Sequence, residues 1–164
     1  MPVKLGLILN IPMTQEEYNQ LDSSFAHCAG TNCERADQCL CHTAYKILGK
    51  SSRATYTTTN LAVIMGKQPC ALFVKDHREL YAWGISHIYD NVRTTDFYDI
   101  KHKVMSCFGS ASYYHVKEQR RAITEEEQRA IREAFTEMGY DGKAIEFDRY
   151  EESYPMLMRM KNYK

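Results

Sequence analysis

Residues 27–42 read HCAGTNCERADQCLCH. Four Cys and two His fall within this stretch, among Gly, Asn, Asp and Gln. Neither the period of an amphipathic helix nor the alternation of a strand runs through it, so a folded loop is expected. The chain on either side reads differently. Residues 44–48 form a helical turn stopped by Gly49. Residues 55–65, TYTTTNLAVIM, are rich in β-branched side chains and read as one strand or two short ones ending at Gly66. Leu72-Phe73-Val74 reads as a further short strand. From residue 81 the pattern turns helical. Tyr81, Ile85, Ile88, Tyr89 and Val92 recur at helical spacing, with Trp83-Gly84 opening that helix against the Cys loop. Asp96 caps a second helix over residues 97–108, with Phe97, Ile100, Val104 and Phe108 on one stripe and Gly109 after it. Thr124 with Glu127 is a capping box, which sets a helix over residues 125–138 with Gly139 as its stop. An earlier capping box, Thr14 with Glu17, opens a short helix over residues 15–21. The tail, residues 146–164, has no period and is expected to wrap the surface or to be partly mobile. The class that follows is α+β in a single domain, residues 1–164. A Cys-rich loop and small antiparallel sheet occupy the N-terminal half (about 22–75), and helices the C-terminal half (about 80–140).

Composition narrows the function classes. The 164 residues carry 21 Lys+Arg against 21 Asp+Glu, so a nucleic-acid binder that works by bulk charge is excluded and any such role rests on a local patch. With 44% hydrophobic and 26% charged residues the chain is ordinary globular material, not a disordered one. No apolar run reaches the length of a membrane span. The apolar opening, Val3 to Ile11, is expected as a buried strand or docking arm rather than a signal peptide. A cytoplasmic location follows from that expectation. In the reducing cytosol the six Cys are ligands or core thiols rather than disulfides.

The spacing is Cys28-x4-Cys33-x5-Cys39-x-Cys41-His42, preceded by His27. Thiolates suit Zn²⁺ or an iron–sulfur cluster, because both accept sulfur donors in tetrahedral sites. Such a density of donors in a polar loop fits a metal better than core packing, although a free Cys also packs as a small hydrophobe. The six Cys exceed four coordination positions. Cys39 and Cys41 stand only two apart, Cys70 could return as a fourth ligand, and Cys107 sits on the apolar side of a helix as a core thiol.

Several motifs lie together in order along the chain. They are Phe25-Ala26-His27-Cys28-x4-Cys33-x-x-Ala36-x-x-Cys39-Leu40, Cys70-x-x-Phe73, and Ala82-Trp83-Gly84-Ile85-x-His87-x-x-Asp90-Asn91-Val92. Downstream come Ile100-Lys101-His102, Phe108-Gly109, Tyr113-Tyr114, Thr124-x-Glu126-Glu127-Gln128 and Phe147-Asp148-x-Tyr150. In this the chain resembles an uncharacterised domain-of-unknown-function family of small Cys-containing proteins from gut anaerobic bacteria, over about residues 25–154. The resemblance implies that Cys28, Cys33, Cys39 and Cys70 are the recurring ligands. Cys41 stands where the family pattern has a basic residue, so a four-thiolate site is implied over one that uses Cys41 or His42. It implies no activity.

Two further readings remain. Residues 96–121 could form a helix-turn-helix in which Tyr113, Tyr114, His115, Lys117, Arg120 and Arg121 face a nucleic acid and Lys101, His102 and Lys103 add phosphate contacts. The plain alternative is a helical hairpin with packed Tyr and solvated charges, or a strand over residues 112–116. Catalysis would need a base, a nucleophile or an open metal position, and His77, His87 and His102 qualify only by residue type. The functional expectation is therefore a non-catalytic regulatory or adaptor module with a structural zinc, whose partner is a protein or a nucleic acid. The alternative is an iron–sulfur redox or redox-sensing protein.

Overall fold

The computed structural model describes residues 11–64 and 70–161. The expected strand or arm in the apolar opening lies almost wholly outside the described residues, as does the strand end at Gly66. The chain divides into two compact units, an N-terminal one ending at Arg78 and a C-terminal one beginning at Glu79. Among the described residues no helix is long and apolar enough to cross a membrane.

In the N-terminal unit, helix α1 (Gln15–Asn19) starts at the expected capping box. Thr14 Oγ1 accepts from the Glu17 N–H at 3.2 Å, and Glu17 Oε2 accepts from the Thr14 N–H at 2.9 Å. Glu17 also takes an ion pair from Arg78 at 2.7 Å, with both side chains mostly covered. Strand β1 (Ala26–His27) follows, then helix α2 (Leu40–Leu48), which begins four residues earlier than the turn foreseen. Residues 55–65 do not form one long strand. Strand β2 (Thr57–Thr58) pairs in parallel with β1, Ala26 opposite Thr57, and helix α3 (Leu61–Ile64) takes the apolar remainder. Residues 72–74 are not a strand; pairing there is confined to a bridge between Cys39 and Lys75.

The C-terminal unit holds the antiparallel pair. Strand β3 (Glu79–Trp83) runs beside β4 (Arg149–Ser153), from Glu79 opposite Ser153 to Trp83 opposite Arg149. The helix expected over residues 81–92 is thus a strand and a loop. Of the stripe, Tyr81, Ile85 and Ile88 are buried, while Tyr89 and Val92 are half-buried. Hydrogen bonds from distant residues decide the conformation instead. Ala82 exchanges both backbone bonds with Ile123, at 3.0 and 2.7 Å, in addition to its pairing with β4. Gly84, at φ +75°, ends the strand. A Cβ there would fall 2.0 Å from Asp148 Oδ2, so the close approach admits no side chain.

Helices α4 (Phe97–Phe108), α5 (Ser110–Lys117) and α6 (Glu125–Glu137) supply most of the core. Ile100, Val104, Tyr113, Val116, Ile123, Ile131, Phe135 and Phe147 form one buried cluster. Residues 97–108 and 110–117 are two successive helices, so residues 112–116 are helical, not extended. Asp96 precedes α4 without capping it. Its carboxylate accepts instead from Arg93 at 2.9 Å and from Tyr140 at 2.6 Å. The α6 box forms as expected and extends outward, because Glu127 also holds Arg121 through both of its oxygens, at 2.7 and 3.2 Å. The tail is ordered into β4 and helix α7 (Pro155–Lys161), not wrapped loosely. Trp83, expected to anchor a helix, ends β3 and packs with Tyr81, Ala122 and Met158, its indole N–H donating to Glu151 at 3.2 Å. The α+β class stands, with helices concentrated in the C-terminal half.

Candidate metal centre

The Cys loop is shaped by two left-handed residues, Gly30 at φ +69° and Asn32 at φ +55°. Between them the chain turns back, and the Cys33 N–H donates to the Gly30 carbonyl at 3.1 Å. A Cβ on Gly30 would lie 2.6 Å from His42 Nδ1 and 2.9 Å from Ala36 Cβ, so glycine alone fits. A 3₁₀ turn, Ala36–Gln38, then delivers Cys39 in an extended conformation as the N-cap of α2.

Three backbone hydrogen bonds, two of which make the bridge between Cys39 and Lys75, bring the rest of the site to this loop. The Cys28 N–H donates to the Cys41 carbonyl at 3.0 Å, and the Leu40 N–H donates to Val74 at 2.7 Å. The Asp76 N–H donates to Gln38 at 2.9 Å, and Cys39 bridges Lys75. The segment that carries Cys70 is thereby folded back onto the start of α2. Arg35 adds a guanidinium stacked 3.6 Å over the Phe73 ring. The result is a pocket of about 60 Å³ lined by Cys28, Cys33, Cys39, Cys41, His42 and Cys70, with Thr59, Leu61, Ile64 and Phe73. All four thiols expected as ligands line it, from three separate turns of chain. Among the described residues, no group of three or more His, Cys, Asp or Glu side chains is gathered tightly enough to hold a metal as it stands.

The two close thiols behave differently. A hydrogen bond from Cys41 holds the Cys39 thiol well below the usual thiol range; backbone hydrogen bonds at Val74, Cys41 and His42 add to it against the opposing effect of burial. Cys41 is pushed far up, first by that same hydrogen bond, then by burial and by the neighbouring Cys39, Cys28 and Cys70. The two neighbouring thiols are thus shifted in opposite directions, Cys39 down and Cys41 up. The Cys41 thiol also has the Leu72 carbonyl within reach, at 3.5 Å. The positive end of α2 lies beside Cys39 and favours its charge further.

The imidazoles are sorted by their partners. His27 is fully buried, with Nδ1 3.0 Å from the Thr57 carbonyl and Nε2 2.8 Å from the Tyr18 hydroxyl. A carbonyl only accepts, so Nδ1 carries the hydrogen and Nε2 accepts from Tyr18. Both nitrogens are used, and His27 is a core residue. His42 Nδ1 donates to the Cys28 carbonyl at 3.0 Å, while its ring lines the pocket. Thr59 was not foreseen. It is 7% exposed, it lines the pocket, and its Oγ1 has no hydrogen-bond partner among the described residues. In a run of Thr nothing marks which hydroxyl the fold will bury.

The other candidates lie elsewhere. Cys107 packs at the edge of the C-terminal core and donates to the Lys103 carbonyl at 3.4 Å, as a core thiol would. Of the basic residues expected at a nucleic acid, Lys103 pairs with Glu137 at 2.7 Å, Arg120 with Glu118, and Arg121 with Glu127. Lys101 lies on α4, and Lys117 is exposed at the end of α5. Tyr113 is buried and Tyr114 exposed. His87 bonds Asp90 at 2.9 Å, and His102 lies tilted against the Tyr98 ring.

No curated protein and no solved structure matches this chain. A family model does, across residues 12–156, which takes in the Cys loop, the pocket and nearly all of the helical unit. The chain belongs to the family of unknown function DUF6078.

Proposed function

We propose that the N-terminal unit binds a thiophilic metal ion, zinc, through Cys28, Cys33, Cys39 and Cys70, and that the ion's role is structural. The observation that carries this reading is the pocket itself, where thiols from separate turns of the chain converge on a space of about 60 Å³. That volume suits an ion and is far below the several hundred Å³ of an organic ligand site. The chemistry of the donors agrees, since four thiolates fill a tetrahedral shell and leave no position open for substrate. The buried Thr59 hydroxyl agrees as well, because a metal-bound thiolate would supply the acceptor it lacks. Side-chain rotation would close the shell, so metal uptake is coupled to ordering of the loop.

On this reading the protein is a non-catalytic regulatory or adaptor module. Pairing of Lys103, Arg120 and Arg121 with carboxylates weakens a phosphate-binding role for α4 and α5. The deciding experiment is metal analysis of protein purified without oxygen, together with its visible spectrum. About one zinc per chain and no colour is the expected result. Iron with a visible band would replace zinc by a cluster and make redox sensing the function. Protein that carries no metal and takes up none overturns the proposal.

A further inference from the structure

The pocket is lined by five thiols and one imidazole, two donors more than a tetrahedral ion needs, and the hydrogen bonding of His42 is already that of a ligand. His42 Nδ1 faces the Cys28 carbonyl at 3.0 Å, so the hydrogen sits on Nδ1 and Nε2 keeps its lone pair. A metal-bound His characteristically donates its second N–H in this way, to a backbone carbonyl or a carboxylate. The ring is also held in place, since Gly30 lies so close that even a methyl group there would strike it. His42 follows Cys39 by three residues at the start of α2, with its N–H bonded to the Cys39 carbonyl at 3.0 Å. That spacing sets the two side chains beside one another on the first turn, as in a capping box. Cys28-x4-Cys33 and Cys39-x2-His42 then form two closely spaced donor pairs in one loop, a Cys₃His set. Cys70 is the outlying donor, brought in only by the pairing of residues 74–76 with residues 38–40.

We infer that the site has two alternative four-donor shells, with Cys70 and His42 exchanging at one position while Cys28, Cys33 and Cys39 stay bound. Exchange breaks the metal–Cys70 bond and forms a metal–His42 Nε2 bond, so the ion is retained while the Cys70 thiol is set free to react with a soft electrophile. The inference rests on the thiolate site proposed above.

Cobalt(II) in place of zinc separates the two claims, because its charge-transfer absorption follows the number of Co–S bonds. Wild-type protein is expected to bind Co²⁺ tetrahedrally. Cys70→Ser should keep tetrahedral Co²⁺ with about one quarter less charge-transfer intensity, as four Co–S bonds become three. The double variant Cys70→Ser/His42→Ala should lose it. If the single and double variants bind alike, or both fail, the exchange is wrong and the thiolate site stands. If wild-type protein binds no Co²⁺, the thiolate site itself is wrong. A second measurement needs no Cys variant. Zinc-loaded wild-type protein treated with iodoacetamide should yield chains alkylated at Cys70 that still hold zinc, whereas His42→Ala should release zinc on the same modification. Release in both overturns the inference.

Discussion

At the scale of single residues, the Cys loop shows how hydrogen bonding assigns roles to like side chains. Cys39 and Cys41 are two residues apart, yet their surroundings pull the one down and push the other up. Cys39→Ser should therefore abolish metal uptake and lower the melting temperature, whereas Cys41→Ser should keep about one metal per chain. Metal content by mass spectrometry and a thermal melt check both, and full metal content in Cys39→Ser would sink the assignment. His27 makes the opposite case. Its place beside Cys28 invites a metal role, but Tyr18 and Thr57 occupy both nitrogens. Replacing it by Phe leaves the buried Tyr18 hydroxyl without its partner, at a cost of about 1–3 kcal/mol. Urea denaturation of the metal-loaded protein should show that loss.

Secondary elements obeyed their local signals where those signals were capping chemistry. Thr14 with Glu17 and Thr124 with Glu127 both form reciprocal boxes, because each needs only residues within one turn. Thr124→Ala should cost about 1 kcal/mol, and slightly more where the loosened Glu127 also weakens its hold on Arg121. A denaturant midpoint equal to wild type would contradict this. Strand β3 is the counter-example. Its apolar residues fit a helical stripe, but a segment buried on both faces carries no period that separates helix from strand. Ile123 and β4 supply the backbone partners that decide it. Gly84→Ala would force a Cβ onto Asp148 in a left-handed conformation, so it should destabilise β3 by more than about 1 kcal/mol, visible as a lower melting temperature.

Across the whole molecule, buried phenols predict the alkaline limit of stability. Burial pushes Tyr81 and Tyr89 well above the ordinary 10.0, helped by bonds to Glu79 and Tyr113. Each keeps its proton in the folded state at a pH where the unfolded chain has lost it. Stability is therefore full below about pH 10 and falls as pH rises beyond that value. Urea midpoints measured between about pH 9 and pH 11 should drop in wild type and drop less in Tyr89→Phe. Equal drops would exclude Tyr89 as a source.

Local sequence by itself determined the capped helices, the irregular Cys loop, the apolar stripes of α4 and α6, and which residue types could bind metal. Each of these depends on neighbours within about one turn or on side-chain chemistry alone. Tertiary structure decided the rest. Placing Cys70 beside Cys39 required residues 74–76 to pair across the start of α2, and burying Thr59 required β2 to lie against β1. The tail became β4 because β3 offered it an edge, although its own residues, RYEES, carry little strand pattern. The physical reason is common to all three. A backbone N–H or carbonyl removed from water must find a partner, and that partner can lie thirty or seventy residues away.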